Sequence, residues 1–577
     1  MKDPIIAAYL EDFIKEFGVR ELKEPEQFEL FINYCVISRK YTEPFEPEEV
    51  SVGGGGDLGI DGLGIFVNEH LVQTAMEADF FKKTLRRLDV EFVFIQSKTS
   101  TSFDGGEIGT FIHGVRQFFN QTLPSGTNQG ITDSFDVKEH IYRSCIDMGR
   151  SPTCRMFYVS LGTWKDDVSL RARVDQGITD IRSTGLFETV DFVVVDVDGI
   201  KKLYREVKNK FVREILFDKH TILPKIDAVQ EAYIGIIPAL EYMKLLCDDD
   251  GLLNRRIFYD NVRDFQGNNQ VNSEIRNTIL NKTQNGRFVL LNNGVTVVAR
   301  NVLKVGASFR LEDYQIVNGC QTSHVLYLHR DHLTDQTYLS FKLIVTDDAD
   351  VTNHVIQGTN RQTEIRPEAF ESLSPFQKEL EENYAAMGRR MASSLFYERR
   401  SKQYGHLGLG REHIITMPAQ VKCFVAMFLN EPQSTHRYYG ELLNSYRNRI
   451  FNESDRMLPY VTAGAALAAT ERLFNKGVLP RSSKYARYQI LMVFRIQNGS
   501  GEMPKMNSKA IDKYCESLIS LINDEDRCAT AFRNANRTVE SVRETQGAWC
   551  EGRGRPERTK AFTSALVKAA SQRPRRG

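Results

Sequence analysis

The chain has 577 residues, of which 41% are hydrophobic and 26% are charged, the balance of a globular protein of two to four domains. Lys and Arg number 75, as do Asp and Glu, which excludes a generally basic nucleic-acid-binding chain; contact with DNA must come from local patches. We find no apolar run long enough to cross a membrane, no secretory signal pattern and no CxxC pair among the nine cysteines. We therefore expect a cytoplasmic protein with no membrane segment, no zinc site and reduced thiols.

The first region, residues 1–205, has the pattern of an α/β domain. Apolar residues at helical spacing predict helices before residue 40, and β-rich apolar runs predict buried strands. The predicted elements are two helices within 4–40, a strand that follows the glycine run 53–56 and ends near 67, a helix at 75–88, a strand at 90–95, a helix at 108–119, and two strands of the same sheet at 156–161 and 190–197.

Two further regions follow. Residues 206–405 alternate apolar runs, at 288–299, 314–317 and 341–346, with helical stretches, so we expect a second α/β domain. Residues 406–577 have a mainly helical pattern. Their last segment, 551–577, holds eight Lys and Arg residues against two acids. Such a tail can contact phosphates, but basic termini are more often solvated and disordered, and we favour the second interpretation.

Three polar residues of the first region have the order that phosphodiester hydrolysis requires. Asp61 begins a strand after a glycine turn, and Gln96 and Lys98 share one face of the next strand because strands have a period of two. Mg²⁺ (or Mn²⁺) prefers oxygen ligands such as Asp61 and the Gln96 side-chain carbonyl. Lys98 beside the ion would position the attacking water and stabilise charge on the phosphorus. Each residue alone is more often structural; their joint order favours a nuclease.

The second predicted helix supplies a further carboxylate. Glu29 borders the apolar face of this helix, whereas Glu26 points toward solvent. An inward carboxylate is costly unless it has a partner, and a metal ion or Lys98 would provide one. We therefore select Glu29 as the supporting acid.

This arrangement resembles the Mrr-like branch of the PD-(D/E)xK nuclease superfamily. The resemblance rests on Phe28-Glu29, on Gly59-Ile60-Asp61-Gly62 and on Gln96-Ser97-Lys98. It implies a restriction-endonuclease-like α/β/α sheet, with Asp61, Gln96 and Glu29 as metal ligands and Lys98 as the catalytic lysine. It also implies DNA as the substrate. Gln96 departs from the family's usual acid, which makes Glu29 or Asp57 more necessary for binding the ion.

Four polar strings stand out in the middle of the chain: Asn261-Val262-Arg263-Asp264-Phe265, Leu291-Asn292-Asn293-Gly294-Val295-Thr296, Ile316-Val317-Asn318-Gly319-Cys320-Gln321-Thr322 and Gly358-Thr359-Asn360-Arg361-Gln362-Thr363. Together they resemble the AIPR family, named for abortive infection phage resistance. The likeness covers roughly residues 215–530, and a nuclease domain commonly precedes the AIPR region in that family. It implies a role in antiviral defence, with a phage-derived trigger.

Two of these strings also resemble the glycine-polar and asparagine-arginine boxes of the ParB/sulfiredoxin-like superfamily. That resemblance implies a ParB-like central domain that binds a nucleotide through Asn318, Gln321, Asn360 and Arg361. The arginine-rich glycine box of ParB is missing, since Cys320 and Gln321 stand in its place.

Three hypotheses remain open. The leading one is a defence effector in which residues 206–577 control an N-terminal DNA nuclease; because cutting both strands needs two active sites, we expect a homodimer. The second is a catalytically silent nucleic-acid- or nucleotide-binding regulator that keeps a nuclease fold, which the neutral Gln96 favours. The third is a nucleotide-hydrolysing switch in the central domain.

Overall fold

The protein is described by a computed structural model. The predicted string 261–265, Arg361 and the rest of the string up to Thr363, and five arginines of the basic tail lie outside the residues that the structure describes. The described residues are 3–41, 43–68, 70–84, 88–143, 148, 150–165, 167–208, 212–247, 251, 253–258, 270–281, 285–360, 371–372, 374–388, 394–399, 403–404, 409–547 and 556–572.

A five-stranded sheet with strand order β2-β1-β3-β4-β5 organises the N-terminal region. β1 pairs antiparallel with β2 and β3, whereas β3, β4 and β5 are parallel. The elements are α1 (Pro4–Phe17), α2 (Glu24–Ser38), β1 (Gly62–Val67), β2 (His70–Leu71), α3 (Ala75–Thr84), β3 (Val90–Lys98), α4 (Gly105–Phe118), α5 (Gln129–Arg143), β4 (Thr153–Ser160), α6 (Val168–Arg182), β5 (Thr189–Val195) and α7 (Val197–Lys208).

Helices cover both faces of this sheet. Because side chains alternate along β3, Phe92 and Phe94 pack toward α4, α5 and α6, while Val93 and Ile95 pack toward α1, α2 and α7. The predicted α/β/α layering and the helix inserted between β1 and β3 are confirmed. Helix α7 extends through the predicted boundary at residue 205.

A six-stranded mixed sheet with strand order β6-β10-β9-β11-β8-β7 forms the centre of the second region, as the predicted α/β fold requires. The apolar run 288–299 was predicted as a single unit but is divided into a short helix and the start of a strand. The elements are β6 (Val212–Leu216), β7 (Lys219–Ile222), β8 (Glu231–Pro238), α8 (Ala239–Leu246), α9 (Gln270–Leu280), α10 (Phe288–Leu291), β9 (Val295–Val305), β10 (Ser308–Asn318), α11 (Cys320–Leu328), β11 (Tyr338–Val345) and α12 (Ala349–Asn360).

The C-terminal region is mainly helical, as predicted, and surrounds one large hydrophobic core. Phe376, Leu380 and Tyr397, from the stretch predicted as central, belong to this core. Its elements are α13 (Pro375–Gly388), the parallel pair β12 (Phe396–Glu398) and β13 (Ile414–Thr416), α14 (Met417–Leu429), α15 (Tyr439–Tyr446), α16 (Leu458–Asn475), α17 (Arg487–Asn498), α18 (Lys509–Asn523), α19 (Glu525–Gly547) and α20 (Lys560–Ser571).

The basic tail differs from its prediction. Phe562, Leu566 and Ala570 of α20 are each at most 2% exposed, because their spacing of four residues puts them on one helical face against the C-terminal core. The expectation of a solvated, disordered tail is therefore wrong for residues 556–572. Within the described chain, no helix is both long and apolar enough to span a bilayer.

The C-terminal region contacts the N-terminal region through residues 43–52, the segment that joins α2 to β1. Arg481 donates a hydrogen bond to Gly18 O (2.9 Å) and forms an ion pair with Glu48. Lys484 Nζ lies 2.9 Å from Glu46 Oε2. The segment that leads into β1 is thus held by cations more than 400 residues away in the sequence.

Candidate active site

Asp61 lies directly before β1 and is fixed through its backbone. Its N–H donates to Ile95 O (2.9 Å), and its carbonyl accepts from Val52 N (2.9 Å) and from Asn33 Nδ2 (3.1 Å). The antiparallel register pairs Gly62 with Ile95, so Asp61 comes beside the end of β3. Asp61 and the end of β3 are therefore neighbours, as the sequence predicts.

One oxygen of the Asp61 carboxylate is saturated with hydrogen bonds. Oδ2 accepts from Gln96 Nε2 (2.8 Å), Ser97 N (2.7 Å) and Ser97 Oγ (3.1 Å). Three donors on one oxygen fix the rotation of the carboxylate. No described residue donates to Oδ1, which leaves that oxygen as the atom of Asp61 suited to a metal ion.

Gln96 and Lys98 lie on β3 as predicted, two residues apart. Gln96 is 3% exposed, whereas Lys98, at the strand end, is partly exposed. The Gln96 amide donates to Asp61 through Nε2, so in this orientation it positions the aspartate. Its Oε1 faces Gly59 and is the atom that a metal ion would require. A ligand role for Gln96 stays a prediction.

The Glu29 carboxylate lies against the backbone of Gly53, which is opposite Asp61. A Cβ added to Gly53 would lie 3.0 Å from Glu29 Oε2 and 3.6 Å from Asp61 Cα, so glycine leaves space there for the carboxylate. Glu26, one turn earlier, is exposed and accepts a hydrogen bond from Lys23 N (3.0 Å) as a helix cap. Glu29 and not Glu26 faces the candidate site.

The carboxyl groups of Asp61 and Glu29 hold their protons unusually strongly. Burial raises the pKa of Glu29 to about 7, and the negative charges of Asp61 and Asp57 add to this rise. Burial also raises the pKa of Asp61 to about 6, against the hydrogen bond from Ser97 N and the charge of Lys98. Lys98 lowers the pKa of both carboxyl groups. The site is therefore short of positive charge, which a divalent cation would supply.

Asp57 organises the glycine-rich loop before Asp61. Its Oδ1 accepts from Gly59 N (2.8 Å) and its Oδ2 from Gly54 N (3.2 Å). Gly54 and Gly59 have positive φ angles of 108° and 73°, which side chains with a Cβ rarely adopt. Both Asp57 oxygens thus accept hydrogen bonds from the loop. The negative charge of Asp57 also raises the pKa of Glu29 and of Asp61.

Four residues near the site were not singled out from the sequence. Ser97 and Asn33 position the side chain and the backbone of Asp61. Tyr158, which pairs with Gln96 in the register of β3 and β4, donates a hydrogen bond to Glu107 Oε2 (3.2 Å). Burial raises the pKa of Tyr158, and the Glu107 and Asp61 charges add to this rise. Of these four residues, Asn33 is the one that the sequence could have identified, because it lies one turn after Glu29 on the same predicted helix.

The donor set is chemically suited to Mg²⁺ or Mn²⁺. Asp61 Oδ1, the Glu29 carboxylate and Gln96 Oε1 are all oxygens, and Mg²⁺ is usually held by one or two carboxylates plus waters. Among the described residues, no three His, Cys, Asp or Glu side chains group closely enough to form a complete metal site by themselves. The site thus suits an ion that keeps part of its water shell and fits zinc poorly.

The predicted nucleotide site is only partly within the described chain. Asn318 ends β10, and Gln321 lies in the first turn of α11, where its Oε1 accepts from Asn272 Nδ2 (2.8 Å). Asn360 ends α12, which packs on the same sheet through Ile356 and Val317. Arg361 and the Asn360 side chain lie outside what the structure describes. Nucleotide binding therefore stays a prediction.

Comparison with known protein families gives a match in the middle of the chain. No curated protein and no solved structure matches the chain. A family model described as AIPR protein matches residues 258–527, which span β9, β10 and β11 of the central sheet and most of the C-terminal helices. The predicted resemblance over residues 215–530 is thereby supported. Residues 258–527 are thus similar to the AIPR family.

Proposed function

We propose that this protein is an effector of antiphage abortive infection in which the N-terminal domain hydrolyses DNA with Mg²⁺ or Mn²⁺. The AIPR match supports the defence role. The nuclease activity rests on one observation: Asp61, Glu29 and Gln96 lie close together at the start of β1 and the end of β3, where Lys98 lowers the pKa of both carboxyl groups.

Each residue would have a separate role in phosphodiester hydrolysis. Asp61 Oδ1 and Glu29 would hold the ion, and Gln96 and Ser97 keep the Asp61 carboxylate in one orientation. A bound divalent ion polarises the phosphoryl oxygen and lowers the pKa of a bound water. Lys98 offsets negative charge at the phosphorus and orients the attacking water by a hydrogen bond.

Control by the remainder of the chain is part of the proposal. The C-terminal region holds segment 43–52 through Arg481 and Lys484. That segment ends at Val52, whose N–H donates to Asp61 O (2.9 Å). A phage-derived trigger that shifts the C-terminal helices would therefore act on the backbone of Asp61.

A catalytically silent regulator is the second candidate. Gln96 is neutral and donates its amide to Asp61, which leaves the candidate site with fewer acids than the usual family pattern supplies. Such a protein would bind nucleic acid without cutting it.

A cleavage assay separates the two candidates. Plasmid, linear and single-stranded DNA, and RNA, are incubated with Mg²⁺ or Mn²⁺ and with wild type, Asp61→Ala, Lys98→Ala or Lys513→Ala. Lys513 is exposed on α18 and serves as the matched lysine control. We expect Asp61→Ala and Lys98→Ala to lose roughly a hundred-fold or more in rate, because each removes stabilisation of the transition state. Equal cleavage by all four proteins would overturn the site assignment.

An infection assay tests the defence role. Cells that express wild type should limit phage replication, and Asp61→Ala should abolish this protection if cleavage is the effector step. Full protection by Asp61→Ala, together with DNA binding but no cleavage in vitro, would instead establish the silent regulator. Light scattering during chromatography tests the expected homodimer.

A further inference from the structure

A cavity of about 390 Å³ lies between the N-terminal and C-terminal regions. It is lined by α1 and α2, by the first part of segment 43–52, by residues 411–422, and by α16 and the residues just after it up to 488. This volume is within the range of small-molecule sites in proteins. It lies apart from the candidate active site, since neither Asp61 nor Lys98 lines it.

Most of the cations in the cavity wall are already paired. Glu46 Oε2 lies 2.9 Å from Lys484 Nζ, and Glu46 Oε1 lies 3.7 Å from Arg487 and 3.8 Å from Arg411. Arg487 also contacts Glu471 Oε1 (3.1 Å). Two lining glutamates therefore neutralise three of the four lining cations that the described chain provides.

The cavity wall nevertheless has more carboxylates than cations, although Lys208 outside the wall pairs with Glu16 and the Tyr41 hydroxyl donates a hydrogen bond to Glu43 Oε2 (3.3 Å). Its described residues include seven glutamates against four Lys and Arg residues. Glu43 and Glu49 lie on either side of Phe45 and Glu46 in the sequence, and their charges add to the effect of burial in raising the pKa of Tyr41. No described cation forms an ion pair with Glu49, and the charge of Lys422 acts on it only from a greater distance.

The same wall carries aromatic rings. Tyr34, Tyr41, Phe45 and Tyr488 line the cavity. Aromatic faces attract cations, and the attraction grows when the cation is removed from water. Negative charge together with aromatic faces selects a cation that has an apolar body.

We propose that this cavity binds a small organic cation, an amine or a guanidine, that contacts Glu49 and Glu43. Because Glu49 and Glu43 belong to segment 43–52, the ligand would be held by the same chain segment that continues to Val52 and Asp61. The cavity would thus be a ligand site between the AIPR region and the N-terminal domain.

Calorimetric titration of the full chain tests this proposal. The probes are spermidine and agmatine, with ATP and Mg²⁺ as comparators, and the protein carries Asp61→Ala so that binding is measured independently of cleavage. We expect both amines to bind and ATP to produce no signal from the cavity. Binding of ATP or Mg²⁺ but of neither amine would overturn the proposal, as would no binding of any probe.

Variants locate the site. Glu49→Gln and Glu43→Gln should each weaken amine binding by about tenfold, the effect of one lost charged hydrogen bond. Glu502→Gln removes an exposed glutamate elsewhere and should change nothing. Ala419→Leu adds volume to the cavity wall without changing charge and should also weaken binding. Equal affinity in wild type and in Glu49→Gln, Glu43→Gln and Ala419→Leu would place the amine elsewhere and refute the proposal.

Discussion

Glu29→Gln should make the metal-free protein more stable at alkaline pH. In the folded protein the pKa of Glu29 is raised from 4.5 to about 7, first by burial and then by Asp61 and Asp57. Above pH 7 the folded state therefore carries a carboxylate that the unfolded chain solvates better. Below pH 4.5 both states are protonated and the difference disappears. Wild-type stability should thus fall, relative to the variant, as the pH rises between these values.

The magnitude follows from the shift in pKa. A rise of roughly 2.5 units corresponds to about 3 kcal/mol at 1.36 kcal/mol per unit. The Glu29 side chain keeps some contact with solvent, which screens the charge, so about 1–2 kcal/mol is the expected difference. For a folding unit of roughly 200 residues this is a change in Tm of about 2–8 °C.

The assay is thermal unfolding from pH 5 to pH 8 in chelator, for wild type, Glu29→Gln and Glu26→Gln. Glu26 is the matched control, because it is exposed on the same helix and glutamine can keep its capping hydrogen bond. Parallel pH curves for wild type and Glu29→Gln, or an equal effect of Glu26→Gln, would refute the assignment of Glu29 to a buried, electronegative position. Adding Mg²⁺ at pH 8 should stabilise wild type more than Glu29→Gln; equal stabilisation would remove Glu29 from the metal site.

Three further variants test neighbouring contacts. Gly53→Ala would place a Cβ 3.0 Å from Glu29 Oε2, so Mg²⁺ affinity measured by calorimetry should fall with no change of charge; unchanged affinity would contradict the contact. Lys98→Ala should move the midpoint of the pH dependence of Mg²⁺ binding upward, since Lys98 lowers the pKa of Asp61 and Glu29, and Lys98→Arg should restore it. Asn33→Ala removes the donor to Asp61 O and should lower the free energy of unfolding, measured by thermal unfolding, by about 1–2 kcal/mol. A loss of stability without any loss of cleavage would show that Asn33 stabilises the fold but does not position Asp61 for catalysis.

Local patterns predict much of the N-terminal site. The period of two along β3 is sufficient to put Gln96 and Lys98 on one face, and the helical periodicity of α2 is sufficient to choose Glu29 over Glu26. The pairing of Gly62 with Ile95 is a contact between distant residues, and only the fold supplies it. The sequence also leaves open which atom of the Gln96 amide faces Asp61, because that depends on every donor around the carboxylate.

Other features escape local patterns for different reasons. The period of two assigns Ser97 to the opposite face, yet its backbone N–H and hydroxyl both reach Asp61 Oδ2. In the basic tail, the spacing of Phe562, Leu566 and Ala570 is typical of a packed helix, whereas the many arginines are typical of a disordered segment. The two patterns indicate opposite structures, and only the packing of the tail decides between them. The ion pair of Glu46 with Lys484 joins residues 438 apart, a separation that no local pattern reaches.

The contacts of segment 43–52 limit how this protein can be divided or recombined. A fragment ending near residue 205 would keep Glu46 and Glu48 but lose Lys484, Arg487 and Arg481, and so would expose carboxylates that the full chain neutralises. An exchange of N-terminal domains between related genes would succeed only where the incoming domain carries acids that match the basic residues of the C-terminal helices. Domain shuffling in evolution, and the design of chimeras in the laboratory, should therefore treat these glutamates and their distant cations as one inherited unit.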